Sequence, residues 1–460
     1  MADHPNERPA DRPDDALRTG STRQGADGAP DPARRESSLT PAAPPPFQLL
    51  FLIMLTIAAG NTALQSVLPA IGRSLGVPDS AVGAAFSVSA LVWVIAAPIW
   101  ARRSDRQGRK AMVLLGLFGF VSSVALCGAF LAAGILGWIG PSLAFACFIL
   151  ARILYGAFGA AAPPAAQAMV AAATSREERT RALTLLASAF GLGTILGPAL
   201  APFFVLPGVG LAGPAFVFSA FGLAVLIVAA RRLPDDGRDG VSGSRGAATS
   251  YPTIGGEPTG ASVRAATDEG RRPPLPLTEP RIWPWMLIGL VAGHAQAMTG
   301  QAIGFAVIDR LALPIVAAAG ATGVVLMTGA GAALLAQWGI IPLLKLTPRA
   351  LAIWGGIVAA IGCVATGFAG SLHMLAVAYG LASLGFGFLR PAFTAGASLA
   401  VGPDEQGAVA GRTTAVNGAG FVLGPSVGVG LYELWSPLPY LVAGVALLAM
   451  IPWLWRRLGR

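Results

Sequence analysis

From Ala111 to Ala151 the chain runs without an Asp, Glu, Lys or Arg, and the same holds from Ala182 to Ala230 and from Ala350 to Leu389. A membrane-spanning helix needs about 20 mostly apolar residues, so each run has room for two spans and a connection. Charged residues make up 12% of the chain, against roughly a quarter in soluble domains. In lipid, backbone polar groups must be satisfied within the segment, and helices do that. The fold class predicted is an all-α membrane protein of twelve transmembrane helices.

Hydropathy places six spans near 47–70, 80–101, 111–134, 141–168, 182–204 and 213–231, and six more near 282–308, 318–344, 350–369, 374–400, 406–432 and 437–455. Residues 1–46 are rich in Pro, Asp, Arg and Gly and read as a disordered cytoplasmic tail, with no apolar leader. Residues 232–281 read as a polar linker and 456–460 as a short tail. Cations crowd the 2–3, 4–5 and 8–9 connections, the linker and the C-terminus, whereas the alternate connections are nearly bare. Cytoplasmic loops hold the excess of Lys and Arg, so both termini are predicted in the cytoplasm. The net charge of +9 follows this topology, and no basic patch interleaved with aromatics suggests nucleic acid. Cys127, Cys147 and Cys363 all fall in spans without metal-ligand spacing and read as packing residues.

The stretch "GLGTILGP" at 191–198 returns as "GAGFVLGP" at 418–425. Gly193, Gly197 and Pro198 thus match Gly420, Gly424 and Pro425, in the fifth span of each set of six and behind an acidic loop both times. The chain reads as a six-helix unit used twice in one orientation, an N-terminal half over 47–231 and a C-terminal half over 282–455. Such parallel repeats place a substrate site between the halves near the midplane. Glycines four apart let another backbone approach closely, and a proline bends the helix. Static packing explains one such motif. Its repetition favours a smooth, bent surface on which the halves slide.

The 2–3 loop, "ARRSDRQGRKAM", carries Asp105, Arg106, Gly108, Arg109 and Lys110 in a compact charged turn. Here the chain resembles the major facilitator superfamily, with Ala101 where the family signature usually has glycine. The resemblance covers about 47–455. It implies that Asp105 is one end of a cytoplasmic latch, meeting the start of the eleventh span near Gln406 and Gly407, where a helix dipole favours a carboxylate. In the fourth span "ARILYGAFG" resembles a motif of proton-coupled members, with Tyr155 in place of its glutamine; this implies a proton-coupling role for Arg152. The fifth-span "GLGTILGPALAP" resembles that of drug/proton antiporters, with Ala201 and Pro202 replacing a final Gly-Gly.

Polar residues within spans are candidates to line a pore or to bond helix to helix. Asn61 and Gln65 share a face of the first span; His294, Met298 and Gln301 share one of the seventh. Gln167, Arg390 and Asn417 complete the substrate-binding candidates. No carboxylate lies within the spans, so the candidates for proton coupling are Arg152, His294, because histidine as a residue type ionises near neutral pH, and Asp309 with Asp105 at the membrane edges. Arg152 and Arg390 lack nearby carboxylates in sequence and suggest an anionic substrate, because Arg binds carboxylates bidentately.

The function expected is secondary active transport, as proton-coupled efflux of small amphipathic drugs or metabolites by alternating access. An importer or an anion exchanger of small organic acids on the same fold is the alternative, and a membrane-embedded enzyme a remote one. Against the enzyme, His4, His294 and His373 are far apart and neither H-E-x-x-H nor G-x-S-x-G occurs. No catalytic residue, cofactor or metal is expected, and no phosphate-binding loop points to ATP. The partners expected are a small-molecule substrate, protons and membrane lipid, with the protein a monomer in a bacterial inner membrane.

Overall fold

The computed structural model describes residues 45–174, 179–235, 279–402 and 405–457. Twelve long helical segments carry these residues. They are α1 (Pro45–Ser74), α2 (Asp79–Gln107), α3 (Arg109–Ile135), α4 (Pro141–Ala173), α5 (Arg179–Leu200), α6 (Gly213–Arg232), α7 (Trp283–Leu311), α8 (Ile315–Leu344), α9 (Pro348–Phe368), α10 (Leu372–Leu399), α11 (Gln406–Leu434) and α12 (Leu438–Arg457). Among the described residues, eleven of these helices are long and apolar enough to cross a membrane. The exception is α7, whose His294, Gln296, Thr299 and Gln301 lower its hydropathy. A helix that lines a polar interior does not need an apolar surface all round.

Local chemistry sets the boundaries. Proline opens α4, α6, α7 and α9, where its missing N–H has no intrahelical partner to lose. The Thr347 and Ser371 side chains accept from the Ala350 and Met374 amides and cap α9 and α10. Gly108, at φ 92°, breaks the chain sharply between α2 and α3, which accounts for glycine at this position of the charged turn.

Two helices are not α-helical throughout. Tyr155–Gly159 in α4 and Leu335–Ile340 in α8 are π-helical turns. Around the first, the neighbouring helices supply donors: Trp100 Nε1 donates to the Ala157 carbonyl, Ser89 Oγ to that of Arg152 and Ser123 Oγ to that of Ala151. Wide turns of this kind often mark functional sites, and this one begins three residues beyond Arg152.

The packing repeats at a six-helix interval. Helix α1 packs on α5 and α7 on α11, while α2 packs on α11 and α8 on α5. The first pairings lie within the first or second six helices; the others join the two sets. Cys127 and Cys363 are buried among packed side chains.

Candidate functional site

Helices α1 and α7 meet along one line. Gln65 Nε2 donates to Gln301 Oε1 at 3.3 Å. One turn on, Pro69 fills the space beside Gly304, where an added Cβ would stand 2.6 Å from its ring. Two turns on, Arg73 Nη1 and Nη2 donate to the Asp309 carboxylate at 3.1 and 3.2 Å. At 1.5 Å of rise per residue the seam is about 12 Å long.

The Arg73 end is tied down further. Arg73 also donates to both oxygens of Asp79, at 2.6 and 2.5 Å, and its guanidinium lies 5.7 Å from the centre of the Phe305 ring. Tyr432 of α11 donates its hydroxyl to Asp309 at 2.8 Å, and the Ser80 amide of α2 donates to Glu433 at 2.7 Å. Four helices, two from each set of six, converge on this cluster.

Two contiguous cavities lie on the other side of Gln65 and Gln301. One is bounded by α1, α5, α7, α8 and α10, with Thr62, Gln296, Gln337, Tyr379, Ser383 and Arg390 among its polar groups. The other, smaller one reaches Asn61, Phe86, Arg152 and Phe421 and shares Gln65, Gln296 and Tyr379 with the first. Neither lining contains an Asp or Glu. Arg152 is 2% exposed. Its Nη1 donates to Asn61 Oδ1 at 2.9 Å, and its guanidinium stacks between the rings of Phe86 (4.8 Å) and Tyr155 (5.0 Å).

Of the residues singled out in the sequence, Asn61, Gln65, Arg152, Gln301 and Arg390 therefore meet at these cavities, while Gln167, His294, Met298 and Asn417 lie outside both linings. The stripe predicted on α7 is displaced. Gln296, Ala297, Gly300 and Gln301 line the smaller cavity, whereas the backbone at His294 and Met298 faces Gly424 and Gly428 of α11. The His294 ring bonds through Nδ1 to the Leu290 carbonyl of its own helix at 2.8 Å, and Asn417 Nδ2 donates to the Thr413 carbonyl at 3.0 Å. Sequence reasoning missed Arg73, Asp79, Gln296, Tyr379 and Tyr432. Only the polarity of α7 and the lone charges closing α1 and opening α2 signalled any of them.

The glycine pairs also need correction. Gly193 and Gly197 pack on Ala58, Ala59 and Thr62 of α1, and Gly420 and Gly424 on Gly293 and Ala297 of α7. These contacts lie within each set of six, so the pairs do not form the surface between halves expected of them. The prolines do reach across. The Pro198 carbonyl faces Gly323 of α8 and the Pro425 carbonyl faces Gly83 of α2.

The side chains of Asp105 and Arg106, with those of Gln406 and Gly407, lie outside the described residues, as does most of the 232–281 linker. Arg109 is buried, and Lys110 Nζ stands 3.6 Å from Asp235 beyond α6. At the opposite end of α7 from Asp309, Arg281 donates to both oxygens of Glu405, at 2.8 and 3.0 Å. These bonds hold the Glu405 carboxyl below the usual range, assisted by the Gly402 amide.

Comparison with known proteins gives a consistent picture. The family model described as the Major Facilitator Superfamily matches residues 50–347. "Multidrug resistance protein 2" of Bacillus subtilis is 27% identical over 406 residues, covering 87% of this chain and 92% of that protein. The class E tetracycline resistance protein of Escherichia coli is 31% identical over 158 residues, 34% of this chain and 36% of its own length. The crystal structure of the nucleoside transporter NupG superposes with a TM-score of 0.66 over 89% of this chain and 99% of that one, at 10% identity, a likeness of fold alone.

Proposed function

The chain belongs to the major facilitator superfamily, and on that premise we propose that it exports small amphipathic drugs or metabolites in exchange for protons. It is an integral membrane transporter by family. With both termini in the cytoplasm of a bacterial inner membrane, the Arg73–Asp309 end faces outward. The α1–α7 seam is then the outer gate, closed, and the two cavities are the substrate chamber reached from the inside. The halves 47–231 and 282–455 rock about that seam, as two parallel repeats do around a midplane site.

The observation that carries this reading is the bond set of Asp309, which ties α7 to α1 through Arg73 and to α11 through Tyr432. Protonating that carboxyl removes its charge and one acceptor site, and so releases the outer gate. A proton taken from outside then opens the gate, and exchange is completed when reclosure re-forms the Arg73–Asp309 pair and expels that proton toward the inward-facing chamber. His294 is a weaker carrier because its Nδ1 is engaged within its own helix. Homology to the multidrug resistance protein supports export.

The test is uptake into inverted membrane vesicles under an imposed pH gradient, across dyes, drugs and organic acids. Export with proton exchange requires accumulation that collapses with the gradient and is lost in Asp309→Asn. Transport indifferent to the gradient would point to the second reading, an importer or exchanger of organic acids. That reading is favoured by the absence of carboxylates from both linings.

A further inference from the structure

We infer that the smaller cavity is a carboxylate-binding subsite centred on Arg152, so that the molecules carried bear an acidic group on a compact apolar body. The inference rests on the reading of the chamber as the substrate site and names its substrate class.

An arginine stays protonated under physiological conditions, and a charge buried at membrane depth is costly unless it is paired. The contacts of Arg152 leave that need unmet. Asn61 accepts one hydrogen bond but carries no charge, and the Phe86 and Tyr155 rings face the cation without neutralising it. Arg152 Nε has no hydrogen-bond partner, although the residue is almost fully buried. Among the described residues, none of the ion pairs includes it.

A second donor belongs to a residue of the same lining. Gln301 is 3% exposed, its oxygen is taken by Gln65, and its Nε2 has no partner. The residues of this lining thus include a guanidinium and an amide N–H₂ with unpartnered nitrogens and no acid. A carboxylate completes that set, accepting from Arg152 on one oxygen and from Gln301 on either.

The remaining walls specify the rest of the molecule. Phe86, Phe421, Ala90 and Ala297 give it apolar walls, and Gly300 adds no side chain. One cation balances a monoanion, whereas a phosphate dianion would leave a charge unpaired against these walls. The ligand class is therefore an aromatic or aliphatic monocarboxylate. A cationic drug would place like charge against Arg152.

The experiment measures binding to the purified full-length protein in detergent by calorimetry, with three probes of one shape: 1-naphthoate, 1-naphthamide and 1-naphthylmethylammonium. The wild type is expected to bind naphthoate about tenfold or more tighter than the amide, in keeping with a charge-assisted bond, and the ammonium weakest. Arg152→Gln should abolish the preference, with naphthoate falling to about the level of naphthamide, and an unchanged melting temperature would show that the variant is folded. Arg152→Lys should restore part of it, and Gln301→Leu should weaken naphthoate binding. An unchanged naphthoate-to-amide ratio in Arg152→Gln overturns the inference, as does a wild type that prefers the ammonium or binds none of the three. The transport reading fails separately: a charge preference that tracks Arg152, with no substrate moved in vesicles, would retain the subsite and remove the exporter.

Discussion

Gly323 of α8 seats against the carbonyl of Pro198 in α5, so closely that an added Cβ would stand 2.6 Å from the oxygen. Gly83 of α2 meets the Pro425 carbonyl of α11 in the same way, at 2.8 Å. The repeated proline therefore acts where the two sets of six helices touch. Beside it, the Ser426 amide donates to Ser87 Oγ across the same contact, a side-chain partner next to the proline kink.

Replacing either glycine should disfavour this contact without unfolding a half. Overpacking costs about 1–3 kcal/mol, enough to move a balanced two-state equilibrium roughly 5- to 150-fold. Gly83→Val and Gly323→Val should therefore populate a state with the Arg73 end open. Labelling of a cysteine placed beside Arg73 by an impermeant maleimide should quicken in both. Unchanged labelling would mean that the contact does not hold the end shut.

The glycine pairs that run up to each proline should behave differently. A Cβ on Gly197 would run into the Ala59 carbonyl and Thr62, and one on Gly424 into Ala297, within the same half. Gly197→Val and Gly424→Val are expected to lower the melting temperature of the purified protein, losing on the order of 2–4 kcal/mol. Labelling beside Arg73 should not rise in what remains folded. Selective opening instead would return these glycines to the sliding surface read from the sequence.

Much of this architecture was legible in the sequence because hydropathy and loop charge are local signals. The spans predicted near 47–70 and 374–400 lie within α1 and α10 to a few residues. Contacts between remote helices were not legible in the same way. Arg73 and Asp309 are 236 residues apart, and nothing near either names the other. The α7 stripe differs for a related reason: the residues of α7 that share the smaller cavity with Gln301 include Ala297 and Gly300, which carry no polar signal in the sequence. Asn61 and Gln65, which share a face of α1 by sequence spacing, do both line the smaller cavity. The π turn after Arg152 has no sequence signature, since "YGAFG" fits an α-helix equally well.

Gln65 and Gln301 should be coupled, because their bond crosses between α1 and α7 at the inner limit of the seam. A buried neutral hydrogen bond contributes about 1 kcal/mol net, and stranding one amide costs about 1–3 kcal/mol. Gln65→Leu alone strands the Gln301 oxygen and should destabilise more than Gln65→Leu with Gln301→Leu. A double-mutant cycle on denaturant or thermal midpoints measures this. Additive losses would show that the two amides act independently.

The Arg281–Glu405 pair predicts a pH effect of known sign and small size. Hydrogen bonds from Arg281 lower the Glu405 carboxyl below its ordinary value. Whatever stability this contributes is present above the unfolded-state carboxylate value and is lost as pH falls through the lower folded value. The pair is exposed at the start of α7 and α11, where solvent and salt screen it. Arg281→Ala should therefore change the melting temperature slightly at neutral pH and low salt, and not at all at high salt or in acid.

Asp309 offers the sharpest separation between gate and packing. Asp309→Asn removes the charge that Arg73 faces but keeps an oxygen to accept from Tyr432, and Asp79 still holds the Arg73 guanidinium through two bonds. The cluster is partly exposed, so the loss should be modest in stability, about 1 kcal/mol or less. It acts on the equilibrium between closed and open states rather than on folding, and there a factor of a few is visible. Labelling beside Arg73 should rise in Asp309→Asn and rise further in Asp309→Ala, which also leaves the Tyr432 hydroxyl without its acceptor. Tyr432→Phe should give the smallest rise, since it spares the ion pair. If the order reverses, with Tyr432→Phe opening the end most, the aromatic contact of Tyr432 with Phe305 and its hydroxyl hold the gate, and Asp309 is not the group whose protonation releases it.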